Sequence, residues 1–231
     1  MSFELVCGQC GAVTGPSVGV CPFCKSVMAK PAESGRDPAA ETIRRYFQEG
    51  KIEDALAMAS LAETQDPNAM KDVDFLVLFA RILIESEAPT TKIRTLLAKA
   101  LLLSPENHDA RDYLELAEAK SRFSRQTHDE GEKGIRALLK RRPDMDLALF
   151  LLGAHLFWSL SETQESIRLL EQCVRIRPQF LRAWGCLGVI YQKLGNVPLA
   201  AKAYQNCVRL ESEPEMKRFF VDQLAKVSGQ H

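Results

Sequence analysis

Residues 181–204, LRAWGCLGVIYQKLGNVPLAAKAY, decide the fold. Trp184, Leu187, Gly188 and Tyr191 recur at three- and four-residue spacing, which is the period of one helix face; Gly195 breaks the pattern, and Ala200 and Tyr204 resume it. The stretch predicts two helices joined by a tight turn. A shift of 34 residues towards the amino terminus lands on Phe150, Gly153, Ala154 and Phe157, then on Ser166, Leu170 and Cys173, with Pro178 closing the unit. Gly188, Ala200 and their equivalents are expected where two helices cross, because only a small side chain lets the backbones approach closely. Cys173 and Cys207 fall at equivalent positions and read as packing residues, not ligands.

The same periodicity extends outward in both directions. Tyr46 and Phe47 precede the turn EGKIEDAL, around Gly50 and Ala55, followed by Ala59, Ala62 and Pro67. Two looser units fill the middle. One has Phe75, Leu78, Phe79 and Ile82, then Ile93, Leu97, Ala100 and Pro105; the other has Tyr113, Leu116 and Ala117, then Gly131, Ile135, Leu138 and Pro143. Their inter-helix turns, 85–91 and 121–130, read as about two residues too long. Beyond Pro214, Phe219, Phe220, Leu224 and Val227 form one apolar stripe suited to capping a stack of helices. This order of a large residue, a leucine–glycine pair, a tyrosine, a small residue and an aromatic resembles the tetratricopeptide repeat family. The resemblance implies an all-α, right-handed solenoid of helical hairpins. Five repeats are expected over 38–214, then a capping helix and tail over 215–231.

The resemblance also implies where function lies, on the concave face lined by the first helix of each pair. Its groove positions are Arg182, Val189, Gln192 and Lys193 in the fifth repeat, Leu151, His155 and Trp158 in the fourth, and Arg111, Leu114, Glu118 and Arg122 in the third. The second repeat supplies Val73, Leu76, Ala80 and Leu83, a wholly apolar set. Leaving such side chains in water forfeits about 1.5–3 kcal/mol for each larger one, so something must cover them. The cover is either a partner's apolar helix or peptide, or this chain's own amino-terminal segment folded back. Trp158 and His155, one turn apart and flanked by Arg122 and Arg182, fit a hot spot for an acidic or carboxylate-bearing peptide; Trp158 equally suits packing between hairpins. The lysine, asparagine and arginine set with which tetratricopeptide clamps hold chaperone tails has no match here.

Ahead of the helices stand Cys7 and Cys10 in CGQC and Cys21 and Cys24 in CPFC. Two C-x-x-C pairs at this distance supply four thiolates for one tetrahedral Zn²⁺, with Gly8, Gly11 and Pro22 shaping the two turns. A closed four-thiolate site leaves no open coordination position, so the metal is expected to be structural and to supply about 10 kcal/mol of folding free energy. The segment resembles the zinc-ribbon family, departing from it at Lys25, where a glycine is common. That resemblance implies a small β-type zinc ribbon over 1–29, followed by a Pro-interrupted linker over 30–37.

Composition narrows the function. Thirty basic residues balance thirty acidic ones, so no global field steers the chain towards nucleic acid or an acidic membrane. Residues 1–70 carry six basic and nine acidic groups, which argues against the ribbon gripping phosphates. The basic run Lys140, Arg141 and Arg142 sits at a predicted helix end, where cations complement the backbone dipole. No secretory leader and no apolar run of membrane-spanning length is read, and cysteines with thiolate-metal spacing suit a reducing compartment, so a cytoplasmic location is expected. The four histidines have no nucleophile, carboxylate pair or phosphate-cradling loop beside them, so catalysis is not expected. The reading is a protein-interaction adaptor that holds a partner peptide or helix in its groove. The alternative is a zinc-ribbon regulator associated with nucleic acid, using the repeats for assembly.

Overall fold

A computed structural model of the protein describes residues 5–6, 13–14, 38–123, 128–160 and 163–229. The chain divides into two compact units, Met1–Pro38 and Ala39–His231. In the first, β1 (Leu5–Val6) and β2 (Val13–Thr14) pair antiparallel, Leu5 opposite Thr14 and Val6 opposite Val13. A ladder of two residues a side does not by itself make the expected ribbon, and Cys7, Cys10, Cys21 and Cys24 lie outside the described residues.

The second unit is helical throughout its described residues. Five successive pairs run α1 (Pro38–Gln48) and α2 (Ile52–Gln65), α3 (Val73–Glu85) and α4 (Thr90–Leu103), α5 (His108–Phe123) and α6 (His128–Arg141), α7 (Asp146–Leu160) and α8 (Thr163–Ile176), then α9 (Leu181–Lys193) and α10 (Val197–Leu210). The last helix, α11 (Pro214–Ser228), packs Phe220 and Val227 inward. A short 3₁₀ turn, Ala69–Lys71, precedes α3. Local chemistry sets the boundaries. Asp72 caps α3 by accepting hydrogen bonds from the Asp74 and Phe75 amides, and Asn196 caps α10 beside Pro198. Gly50 and Gly195, at φ 80° and 69°, make the turns of the first and fifth pairs in the left-handed region that glycine enters without penalty. The turn expected over 85–91 is shorter than its sequence suggests, because α3 continues to Glu85 and α4 begins at Thr90.

Glycine contacts correct the repeat register. A Cβ on Gly188 would lie 2.7 Å from the Tyr204 ring, and one on Gly153 would lie 2.9 Å from the Leu170 side chain. Tyr204 and Leu170 are equivalent residues of α10 and α8, so Gly153 occupies the place of Gly188, an offset of 35 between α7 and α9 rather than 34. Pro143 and Pro178 show the same offset. The second helices keep 34, with Cys173 and Cys207 both fully buried as expected. The fourth pair therefore carries one residue more between Gly153 and Leu170 than the fifth carries between Gly188 and Tyr204.

The second unit also curls onto itself. Phe47 at the end of α1 lies under two guanidinium groups, Arg81 of α3 at 4.7 Å and Arg177 after α8 at 5.0 Å. The turn that follows touches the α8–α9 turn so closely that a Cβ on Gly50 would stand 2.7 Å from the Gln179 carbonyl oxygen. Arg177 bonds Glu85 at the end of α3, and both Arg81 and Arg177 reach Asp146 Oδ2 at 3.0 Å. Two cations and two carboxylates thus neutralise one another in the interior. Such a group adds little net stability when whole, but losing one member strands a buried charge at a cost of about 3–5 kcal/mol.

A cavity on the first-helix face

Leu76, Ala80 and Leu83 do not wall an open groove. All three are buried, Leu76 with no exposed surface at all, as members of the continuous apolar core, and Val73 is half-buried against it. Their uniformly apolar character is that of core residues, so they are not presented to a partner. A substitution such as Leu76→Glu would disrupt folding rather than test binding.

The candidates in the later repeats do converge. Leu151, His155 and Trp158 of α7 and Arg182 and Val189 of α9 line one concavity of about 850 Å³, with the end of α5 and the α3–α4 turn as its other walls. The register offset explains its pattern. Phe150, Leu151 and Ala154 on α7 correspond at 35 residues to Gly185, Cys186 and Val189 on α9, so the first helices of the last two pairs present the same stripe to the cavity. The offset also accounts for His155, which takes the inward place of Ile190 and is only 8% exposed. Its ring stacks on Phe123 at 4.1 Å between centroids. Trp158 is 57% exposed at the rim, with the Lys193 ammonium 4.9 Å from its ring.

The cavity's cations are held by the end of α3. Carbonyl groups at a helix carboxy terminus have no partner within the helix. Lys120 Nζ donates to the Ile84 carbonyl at 2.9 Å and Arg182 Nη1 to the Glu85 carbonyl at 2.7 Å. Arg182 Nη2 also pairs with Glu87, whose φ of 61° turns the chain away from α3. Burial pushes the Lys120 amine below its usual range, opposed by the Glu87 carboxylate. Burial raises the Cys186 thiol, so it lines the cavity as a neutral group. Among the described residues, Glu87 is the one carboxylate on the wall against Lys120 and Arg182, which leaves a cationic, aromatic-rimmed hollow.

The other candidate positions lie apart. Arg111 donates to the Pro105 carbonyl at 2.9 Å, and Gln192 accepts from the Tyr204 hydroxyl at 2.8 Å. Leu114 and Glu118 border a shallow depression against α4, and Arg122 borders a small one beside Thr90 and Arg94. Arg141 bonds Asp112 and Glu115 of α5, while Arg142 bonds Asp109 and Asp112, so two members of the basic run hold α6 to α5. Lys120, Phe123 and Cys186 are not among the sequence candidates. The 35-residue spacing of Pro143 and Pro178 is the available signal for Cys186, whereas the part played by Lys120 depends on the long-range approach of α3. Among the described residues, no group of three or more histidine, cysteine or acidic side chains is arranged to hold a metal. No helix among them is long and apolar enough to cross a membrane.

No curated protein sequence matches the chain. Solved structures do. A thermophilic TPR protein of Thermus thermophilus, TTC0263, is 12% identical and aligns over 80% of this chain and 97% of its own, with a TM-score of 0.51. MamA of AMB-1 is 18% identical over 77% of this chain and 93% of its own, with a TM-score of 0.38, and MamA of Desulfovibrio magneticus RS-1 is 17% identical over 75% and 96%, also at 0.38. The tetratricopeptide repeat family model matches residues 148–180 and 181–214, which take in most of the pairs α7–α8 and α9–α10.

Proposed function

We propose that the protein is an interaction scaffold that holds a partner peptide in the α5–α7–α9 cavity. The observation that carries this reading is the juxtaposition of the exposed Trp158 with a cationic hollow on the first-helix face. An aromatic anchor beside partly buried cations favours a peptide with an apolar side chain next to a carboxylate. Two further features support it. The wall residues come from helices of different pairs, so a bound segment runs across repeats, and Val189 and Leu151 offer apolar contact at its floor. Nucleic-acid association is disfavoured because Arg141 and Arg142 are engaged with α5.

The test compares crosslinked partners of the full chain with those of Trp158→Ala and Val189→Asp, each checked by thermal melting. Loss of the same captured protein in both variants, at unchanged Tm, supports the reading. Capture that is indifferent to both variants overturns it.

The amino-terminal cysteines fit a separate, structural role. Four thiolates in two C-x-x-C pairs are the donor set of a closed zinc site, and the pairing of Val6 with Val13 brackets the first cysteine pair in the sequence. When bound, the metal would cross-link Cys7, Cys10, Cys21 and Cys24. About one Zn²⁺ per chain is expected, lost on Cys7→Ser or Cys21→Ser with most of the helical signal retained. Metal-free protein purified under reducing conditions would refute this assignment.

A further inference from the structure

The turn that closes α3 is built like the turns that close α1 and α9, with one difference. In each, an amide bonds back to the carbonyl five residues earlier: Lys51 to Tyr46 at 2.9 Å, Ala88 to Leu83 at 3.0 Å and Asn196 to Tyr191 at 2.9 Å. The residue before that amide takes the left-handed region, where glycine is the ordinary choice. The first and fifth pairs have Gly50 and Gly195 there, whereas the second has Glu87 at φ 61°. A carboxylate side chain is thus kept where the backbone favours none, and an outlier of this kind points to a task for the side chain.

The cavity on the first-helix face shows what that task is. Glu87 shares its wall with Lys120 and Arg182, and its carboxylate accepts from Arg182 Nη2. Its charge also acts on Lys120, opposing the effect of burial on that amine. Neither cation needs Glu87 to stay in place, since Arg182 Nη1 bonds the Glu85 carbonyl and Lys120 Nζ the Ile84 carbonyl. With its side chain 63% exposed, Glu87 can swing into water at little cost and leave one edge of the guanidinium free. We propose that Glu87 is the specificity-determining residue of this cavity: its carboxylate stands in the place that a peptide carboxylate takes on Arg182, and the peptide binds by displacing it. The inference rests on the peptide-binding function proposed above. Exchanging one carboxylate for another on the same guanidinium is close to neutral, so a bare anion gains little. A peptide is retained when an apolar side chain beside its carboxylate also meets Trp158, Leu151 and Val189.

A capped hexapeptide, Leu-Glu-Leu-Glu-Leu-Glu, is titrated calorimetrically into the full-length protein and into Glu87→Gln, Glu87→Gly and Glu106→Gln, alongside its Leu-Gln counterpart and sodium acetate. Glu106 is exposed and does not line the cavity, so its variant controls for a general loss of negative charge. The parent is expected to bind the Leu-Glu peptide, and both Glu87 variants to bind it about threefold tighter, with no such gain for the Leu-Gln peptide. Melting curves check that each variant is folded, and Glu87→Gly, which suits the left-handed backbone, carries the measurement if Glu87→Gln melts early. A gain that is absent from the folded Glu87 variants, that Glu106→Gln reproduces, or that the Leu-Gln peptide shares overturns the proposal. Acetate binding the parent as tightly as the peptide overturns the apolar requirement. Failure of the parent and of both Glu87 variants to bind the Leu-Glu peptide, or binding that Trp158→Ala leaves unchanged, overturns instead the function proposed for the cavity itself.

Discussion

A methyl group added at Gly188 would be driven into the face of Tyr204, whose hydroxyl is fixed on Gln192 at 2.8 Å and cannot swing away freely. Gly188→Ala is therefore expected to cost about 1–3 kcal/mol, despite alanine's better helix propensity, and to appear as a lowered Tm. Gly195→Ala has open space around it but demands φ 69° of an L-residue, so it should cost about 1 kcal/mol through the backbone alone. Equal melting of either variant and the parent would contradict these packing and backbone assignments. Such positions are legible in a sequence because a small residue in an otherwise bulky helix marks a crossing. Trp158 is less legible. Its periodicity suits core and groove alike, and only its exposed ring beside Lys193 decides between them. Trp184 donates to the Pro178 carbonyl at 2.9 Å, so Trp184→Phe would leave Trp158 as the sole fluorescent tryptophan and a direct reporter of peptide entry.

Between helices, ion pairs fix the stacking of successive pairs. Arg136 of α6 forks onto Glu165 of α8 at 2.6 and 2.9 Å, and this bond holds the Glu165 carboxyl below its usual range. A carboxylate with a depressed folded pKa stabilises the protein above its unfolded value of about 4.3, and that contribution fades as pH falls further. Both groups remain partly solvated, which limits the contribution to about 1 kcal/mol. Glu165→Gln should thus lower Tm at neutral pH, with the gap to the parent narrowing as pH falls below about 4.3; parallel pH profiles would refute the link. The helices themselves are readable from three- and four-residue spacing. The one-residue slip between α7 and α9 is harder to read, because Phe150, Gly153, Ala154 and Phe157 fit the pattern at 34 while Leu149, Leu152, Gly153 and Leu156 fit it at 35. The contact of Gly153 with Leu170, together with the spacing of Pro143 and Pro178, separates the two registers.

At the scale of the helical unit, the buried group formed by Arg81, Glu85, Asp146 and Arg177 joins residues as far as 92 positions apart. Arg177→Ala is expected to destabilise by about 3–5 kcal/mol, well beyond what an exposed arginine would cost. A loss below about 1 kcal/mol would mean that water enters and solvates the stranded carboxylates. None of this is legible beforehand, since sequence periodicity reports which face of a helix is inward but not which distant turn will meet it. The apolar set in α3 marks burial but not the elements that bury it, since Leu76, Ala80 and Leu83 belong to the core and not to a covered groove wall.

An open solenoid is quasi-one-dimensional, each hairpin touching only its neighbours, so its ends can fray while its middle stays folded. The seating of Gly50 against Gln179 and the bond from Arg177 to Glu85 add contacts between distant pairs of the helical unit. Contacts of long sequence separation must then form before the structure gains their benefit. Folding should therefore be slower and more nearly all-or-none than the local character of helical hairpins implies, with amides of α1 and α9 exchanging at one common rate set by global opening.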